Sequence, residues 1–273
     1  MLKASSHKLF ALLKCVNEHP YDRDSLREAV LNLYPGRDEK SVFRGMVIPT
    51  LRRLGLIVGY EHSIRLSANG LLITTALDNS QSEGQRALRD ILLEIDETTG
   101  HLLEELEEEG RTSAKQFQET LAIKVEAPSQ KQSLERVRDW IAYLGYAGLV
   151  RSQDDCLEVD PNNLRWARTD LDTTLKNDFF RGFLLNGYRE LVQRQPGIRS
   201  ISIEDVRQEV AISAYRVKSA IITENQFDIL LRGLPHITAE YVITFGRSMG
   251  PEEKLFVLED KYYETISIRF GEE

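Results

Sequence analysis

Residues 50–70 read TLRRLGLIVGYEHSIRLSANG, and residues 141–163 read IAYLGYAGLVRSQDDCLEVDPNN. Each begins with apolar residues at helical spacing that stop at glycine, Gly55 in the first and Gly145 with Gly148 in the second. Each continues with a short apolar run, a polar turn and a second run in which apolar and polar residues alternate, the period of a half-buried strand. A helix delivered into a small β-ribbon is thus written twice. The copies share an order of elements rather than a close sequence, which fits a duplicated fold without demonstrating a sequence repeat.

Three helical patterns lead into the first ribbon. HKLFALLKCVNEH carries Leu9, Phe10, Leu12, Leu13 and Val16 at spacings near three and four and stops at Pro20. DRDSLREAVLNLY starts from Asp22 or Asp24 as cap, stripes Leu26, Val30 and Leu33, and is broken by Pro35-Gly36. EKSVFRGMVIPTLRRLGL stripes Phe43, Val47, Leu51 and Leu54. Inside it stands Pro49, whose ring opposes the carbonyl of Gly45 and which donates no backbone hydrogen bond, so a kink or break is expected there. The ribbon is expected as strands Leu56–Val58 and Ser63–Leu66 about a turn at Gly59–His62, with a helix restarting from Ser67 through LLITTALDN.

Helix, helix, helix and hairpin, with L-x-x-L-G-L-I at 51–57 and I-R-L-S-x-x-G at 64–70, resembles the recognition-helix end and wing of winged helix-turn-helix DNA-binding domains. The resemblance covers about the first 75 residues. It implies a mainly α fold with small β-hairpins (α+β), built as tandem winged-helix domains joined by long helices. It also implies that the start of the third helix, with Lys40, Ser41 and Arg44, meets base edges and phosphates. Arg52 and Arg53 would reach backbone phosphates, and His62 and Arg65 would lie on the wing. Asp38, Glu39 and Glu61 oppose this, and a solvated surface of mixed charge is the alternative. The same fold also serves as a protein-docking module.

Along the chain the pattern divides into a winged-helix domain (1–80), an acidic connector helix (81–110), a second winged-helix-like domain (111–168) and a long helix with a third such domain and an extended hairpin (169–273). In the connector, Leu88, Leu92, Ile95, Thr99, Leu102 and Leu106 alternate at spacings of four and three, a coiled-coil seam with one polar position. Two readings follow: a connector packed on its own domains with a solvated acidic face, or a docking helix that makes a homodimer through residues 83–109. Gly100 argues for a bend. In the last third, TLKNDFFRGFLLNGYRELVQRQ stripes Leu175, Phe179, Phe183, Leu184, Tyr188 and Leu191. ISIEDVRQEVAI, a polar step SAYRVKSA and ENQFDILLRGL follow, then three alternating runs, YVITFGR, KLFVLED and YETISIRF, with the loop SMGPEE between the first two.

The net charge of −8 runs against nucleic-acid binding until it is divided. Residues 1–80 carry 11 basic and 8 acidic side chains, and residues 81–110 carry 2 and 10, so one segment holds acidity equal to the whole imbalance and the first domain is mildly basic. The second ribbon sets Asp154, Asp155, Glu158 and Asp160 against Arg151, a surface phosphate would repel.

Chemistry-bearing motifs are absent from the sequence. The five histidines and two cysteines have no metal-ligand spacing, and no P-loop, dinucleotide turn or nucleophile elbow is written. Glu259-Asp260-Lys261 contains an E-x-K of the kind metal-dependent nucleases use with an upstream Asp, for which Asp228 is the nearest candidate; a charged hairpin turn is the plainer reading. No apolar run reaches the ~18 residues of a membrane span and no signal segment is evident, so a cytoplasmic protein without cofactor is expected. These readings converge on a non-enzymatic protein that binds double-stranded DNA as a subunit or adaptor of a larger complex. The alternatives are a docking subunit similar to the kleisin-interacting components of SMC-type complexes, or a transcription repressor.

Overall fold

The computed structural model describes residues 4–95, 97–124, 129–163, 177–248 and 254–271. It is mainly helical with small antiparallel sheets, the α+β class expected. Two compact units divide it: Met1–Leu66 with Ile73–Asp170, and Ser67–Leu72 with Leu171–Glu273.

The first unit opens with α1 (Leu9–Glu18), whose Leu9, Leu12, Leu13 and Val16 are fully buried, and α2 (Arg23–Asn32). Asp22 caps α2 by accepting the Ser25 N–H at 3.1 Å. The third helical run keeps its apolar stripe, with Phe43, Val47, Leu51 and Leu54 all buried. Where a kink or break is expected, the chain widens instead: Lys40–Val47 is a π-helix that runs into α3 (Ile48–Arg53). The Ile48 N–H bonds the Phe43 carbonyl five residues back, and Pro49 falls at the head of α3, where a missing donor costs least.

The ribbon is shorter than expected, β1 (Ile57–Val58) against β2 (Arg65–Leu66). Glu61–Ser63 is a 3-10 turn that takes up the residues between, and Gly59 enters it with φ +83°. A β-carbon at Gly59 would lie 2.0 Å from the Ser63 carbonyl oxygen, so no other residue fits. On the other side of β2, the Tyr21 N–H donates to the Ile64 carbonyl at 3.1 Å, which draws the α1–α2 connection alongside the ribbon.

Next come α4 (Ala68–Asn79), α5 (Gln81–Ile95), α6 (Glu97–Glu109), β3 (Thr112–Ser113), α7 (Ala114–Lys124), α8 (Gln130–Tyr146), β4 (Val150–Gln153) and β5 (Cys156–Val159). The strands form one sheet in the order β3-β5-β4, and α6 packs against β5. Asp154 and Asp155, both with positive φ, make the two-residue turn between β4 and β5. This second set of elements joins the first through the Tyr143 hydroxyl, which donates to the Ala4 carbonyl at 2.9 Å, and the Phe10 and Tyr146 rings, 4.9 Å apart.

The C-terminal part of the acidic segment, α6, packs against β5. The segment's seam is spent inside the chain. Leu88, Leu92 and Thr99 are 0% exposed, with Leu102 and Leu106 almost as deeply covered and Ile95 half-buried. Among the described residues of 83–109 the exposed side chains are Glu104, Glu107, Glu108 and Glu109.

The second unit holds α9 (Asn177–Arg194), β6 (Ile201–Ser202), α10 (Ile203–Lys218), α11 (Glu224–Gly233), β7 (Tyr241–Arg247), β8 (Phe256–Leu258) and β9 (Lys261–Phe270). The polar step SAYRVKSA does not end α10, because Ala214 and Tyr215 are buried; the helix runs to Lys218 and stops at Ser219 with φ +51°. The three alternating runs do not form a simple meander. β9 lies between β6 and β7, and β8 pairs β9 on the side away from β7, since Tyr263 meets both Arg247 and Phe256. Leu175 and residues 249–253 of the SMGPEE loop lie outside the described residues.

Beneath this sheet sits a closed network of charge. Arg207, 2% exposed, grips Asp228 through two Nη2 contacts of 2.7 Å and an Nε contact of 2.9 Å, and donates to the Lys254 carbonyl at 2.7 Å. Glu204 accepts the Ala68 N–H at 2.8 Å; Glu224 accepts the Asn69 N–H at 3.0 Å and the Lys254 ammonium at 2.7 Å. Burial pushes the Glu204 carboxyl above its ordinary range, Glu224 adds to the push, and Lys254 and Arg207 oppose it.

Two outcomes follow from this packing. Leu102→Ala should cost about 2–5 kcal/mol in chemical denaturation while leaving the mass by light scattering unchanged, since Leu102 is a core residue rather than a contact between copies. Arg207→Met should cost about 3–5 kcal/mol, because it strands two buried carboxylates; an unchanged denaturation midpoint would contradict the network.

Candidate nucleic-acid interface

The third helical run of the first unit carries five of the seven residues singled out in the sequence, four of them exposed. Val42, Phe43, Met46, Val47 and Leu51 face the core, so the opposite edge is set by elimination: Lys40, Ser41, Arg44, Gly45, Pro49 and Arg53 are all exposed along it. Three cations thus lie on the broad side of the helical rod that faces away from the core. The start of the rod is fixed by Asp38, whose carboxylate accepts the Ser41 N–H at 2.9 Å.

The remaining three are placed differently. Arg52 is half-buried and its work is internal: Nη2 donates to the Gly59 carbonyl, and the guanidinium lies 4.4 Å from the centre of the Tyr60 ring. It ties the ribbon turn to the end of α3. His62 is exposed in the turn that Arg52 holds. Arg65, half-buried on β2, stands opposite Val58 and is not among the exposed cations.

Acidic groups stand close by. Arg27 bridges Asp24 at 3.7 Å and Glu39 at 3.3 Å, which ties up part of the negative charge beside Lys40. In the second ribbon Arg151 is taken by Asp160 at 2.5 Å and Arg111 reaches Asp154 at 3.5 Å, leaving an exposed, acidic turn at Asp154 and Asp155. In the second unit, Arg194 pairs with Glu190 and Glu209, and Arg207 is buried. Asp228 is bound by Arg207, and Glu259-Asp260 is a two-residue turn with both φ values positive, so these residues do not assemble the carboxylate pair of a nuclease.

Among the described residues no group of His, Cys, Asp and Glu is arranged to hold a metal ion, and no helix is long and apolar enough to cross a membrane. Comparison with protein-family models, curated proteins and solved structures finds no match to this chain.

The two exposed helix caps have a pH signature. The Ser41 backbone bond holds the Asp38 carboxyl below the ordinary range, and the Ser25 hydroxyl and N–H do the same for Asp22. A carboxyl whose folded-state pKa is depressed adds stability above its unfolded value of about 3.9, and that stability fades as pH falls through the folded value. The D22A/D38A variant should therefore melt below the parent at pH 7 and converge on it below about pH 3, as read by circular dichroism.

Proposed function

We propose that this chain is a non-enzymatic protein of three winged-helix repeats that binds double-stranded DNA through its N-terminal repeat and acts as an adaptor within a DNA-handling complex. The fold part of the reading rests on a recurring order: helix, strand, helix, helix, strand, strand, with the last strand in the middle. It is complete in α6–β3–α7–α8–β4–β5 and in α9–β6–α10–α11–β7–β9, with β8 as an extra strand. In the N-terminal copy the single bond from Tyr21 to Ile64 stands where the first strand would be.

The observation that carries the DNA reading is the exposure of Lys40, Arg44 and Arg53 on the side of the third helix away from the core, the element such domains lay in the major groove. Lys40, Ser41 and Arg44 face base edges and phosphates at its start, Arg53 meets a phosphate at its end, and His62 lies on the ribbon that flanks it. Three cations make a modest electrostatic site, in keeping with a protein recruited to DNA as one part of an assembly.

The K40E/R44E/R53E variant should lose at least ten-fold in duplex affinity at fixed salt with its melting temperature unchanged, and R44A alone should lower the salt slope by about one. Equal affinity in parent and triple variant would remove the DNA assignment. A second reading, a protein-docking subunit like the kleisin-interacting components of SMC-type complexes, is favoured by the acidic turn at Asp154 and Asp155. A tight partner complex formed without nucleic acid, together with no measurable duplex binding, would select it.

A further inference from the structure

The second unit contains a groove of about 730 Å³ between the C-terminal half of α9 and the last residues of β9, and its walls carry Arg189, Arg199 and Arg269 but no carboxylate. The unit bearing it has more acidic than basic residues, with 17 against 13 over 169–273, so the groove gathers cations against the local average. Arg199 and Arg269 are exposed and form no ion pair among the described residues; Arg189 is exposed and stacked 4.0 Å over the Phe270 ring.

The floor of the groove is a strand edge. β9 is matched by β7 along its length, from Tyr263 to Phe270. On its other side β8 covers Lys261–Tyr263 and β6 covers Thr265 and Ile266, and from Ser267 to Phe270 no strand follows among the described residues. The chain that would have continued the cover is turned away at Arg199, whose carbonyl accepts the Tyr188 hydroxyl at 2.6 Å and the Ser267 hydroxyl at 2.8 Å. An open edge offers alternating N–H and C=O groups, which an extended peptide satisfies with its own and a phosphodiester strand does not, since it lacks backbone donors. The aromatic face that a nucleobase would stack on is already covered by Arg189.

We propose that this groove receives a short, acidic, extended peptide segment of a partner protein, added as a further strand to the end of β9, with its carboxylates paired to Arg199 and Arg269. Backbone bonds at Ile268–Phe270 set its direction, and the two guanidinium groups select against neutral and basic sequences. The site is separate from the Lys40–Arg44–Arg53 edge and stands whether or not that edge binds DNA.

The test is selection of random ten-residue peptides displayed on phage against the full-length chain, followed by titration of the enriched peptides in solution. The expected result is enrichment of acidic residues at alternate positions, amide shifts centred on Ser267–Phe270, at least ten-fold weaker binding to R199E/R269E, and recovery in R199K/R269K. K40E/R44E/R53E should bind the peptides as the parent does. Enrichment of no peptide, of non-acidic peptides, or of peptides that bind R199E/R269E equally well would overturn the proposal. So would occupation of the groove by an oligothymidine in preference to every acidic peptide.

Discussion

Everything in the two larger sheets depends on the last strand of each taking the central place. β5 lies between β3 and β4, and β9 lies between β6 and β7. A chain that makes a hairpin can hold its last strand at an edge; here the strand is gripped from the far side by two residues that precede the helix pair, Thr112–Ser113 in one case and Ile201–Ser202 in the other. Those two-residue strands look negligible, yet they close the helices between them against the sheet. Beside the two-stranded N-terminal ribbon, the smallest sheet, the comparable contact is one hydrogen bond from Tyr21.

The closure explains what was legible in the sequence. Helices announced themselves through apolar spacing: Leu9 to Val16, Leu26 and Val30, and Phe43 to Leu54 are buried where their periodicity puts them. Strands β3 and β6 did not, because two residues cannot display a period. The order of β7, β8 and β9 was likewise hidden, since pairing between runs separated by a long loop leaves no local mark. The seam at Leu88–Leu106 was legible as an apolar stripe but silent about its partner, and a stripe that fits a second copy fits the chain's own second layer equally well. Pro49 was read as a kink or break; that a π-helix takes it up instead depends on Val42, Phe43, Met46, Val47 and Leu51 staying in the core, which is a tertiary fact.

Charge was legible in amount and not in direction. Lys40, Arg44 and Arg53 are exposed because the core claims the other side of their helix, whereas Arg52, one residue from Arg53, is turned into the ribbon. The arginines of the second unit separate in the same way. Arg194 and Arg207 meet carboxylates from the helix they pack on, while Arg189, Arg199 and Arg269 come from three different elements and meet in a groove no sequence window could contain.

The first turn of α4 binds Glu204 and Glu224 across 136 and 155 residues of intervening chain, and Ser67–Leu72 is counted with the second unit. These are contacts of very long sequence separation, and the loop that closes them contains the whole of the β3–β5 sheet and its helices. The sheet and helix pair of the second unit come from one stretch of chain, but Glu204 and Glu224 take backbone donors from a peptide far earlier in it, so this network carries a loop-closure cost that the local elements do not.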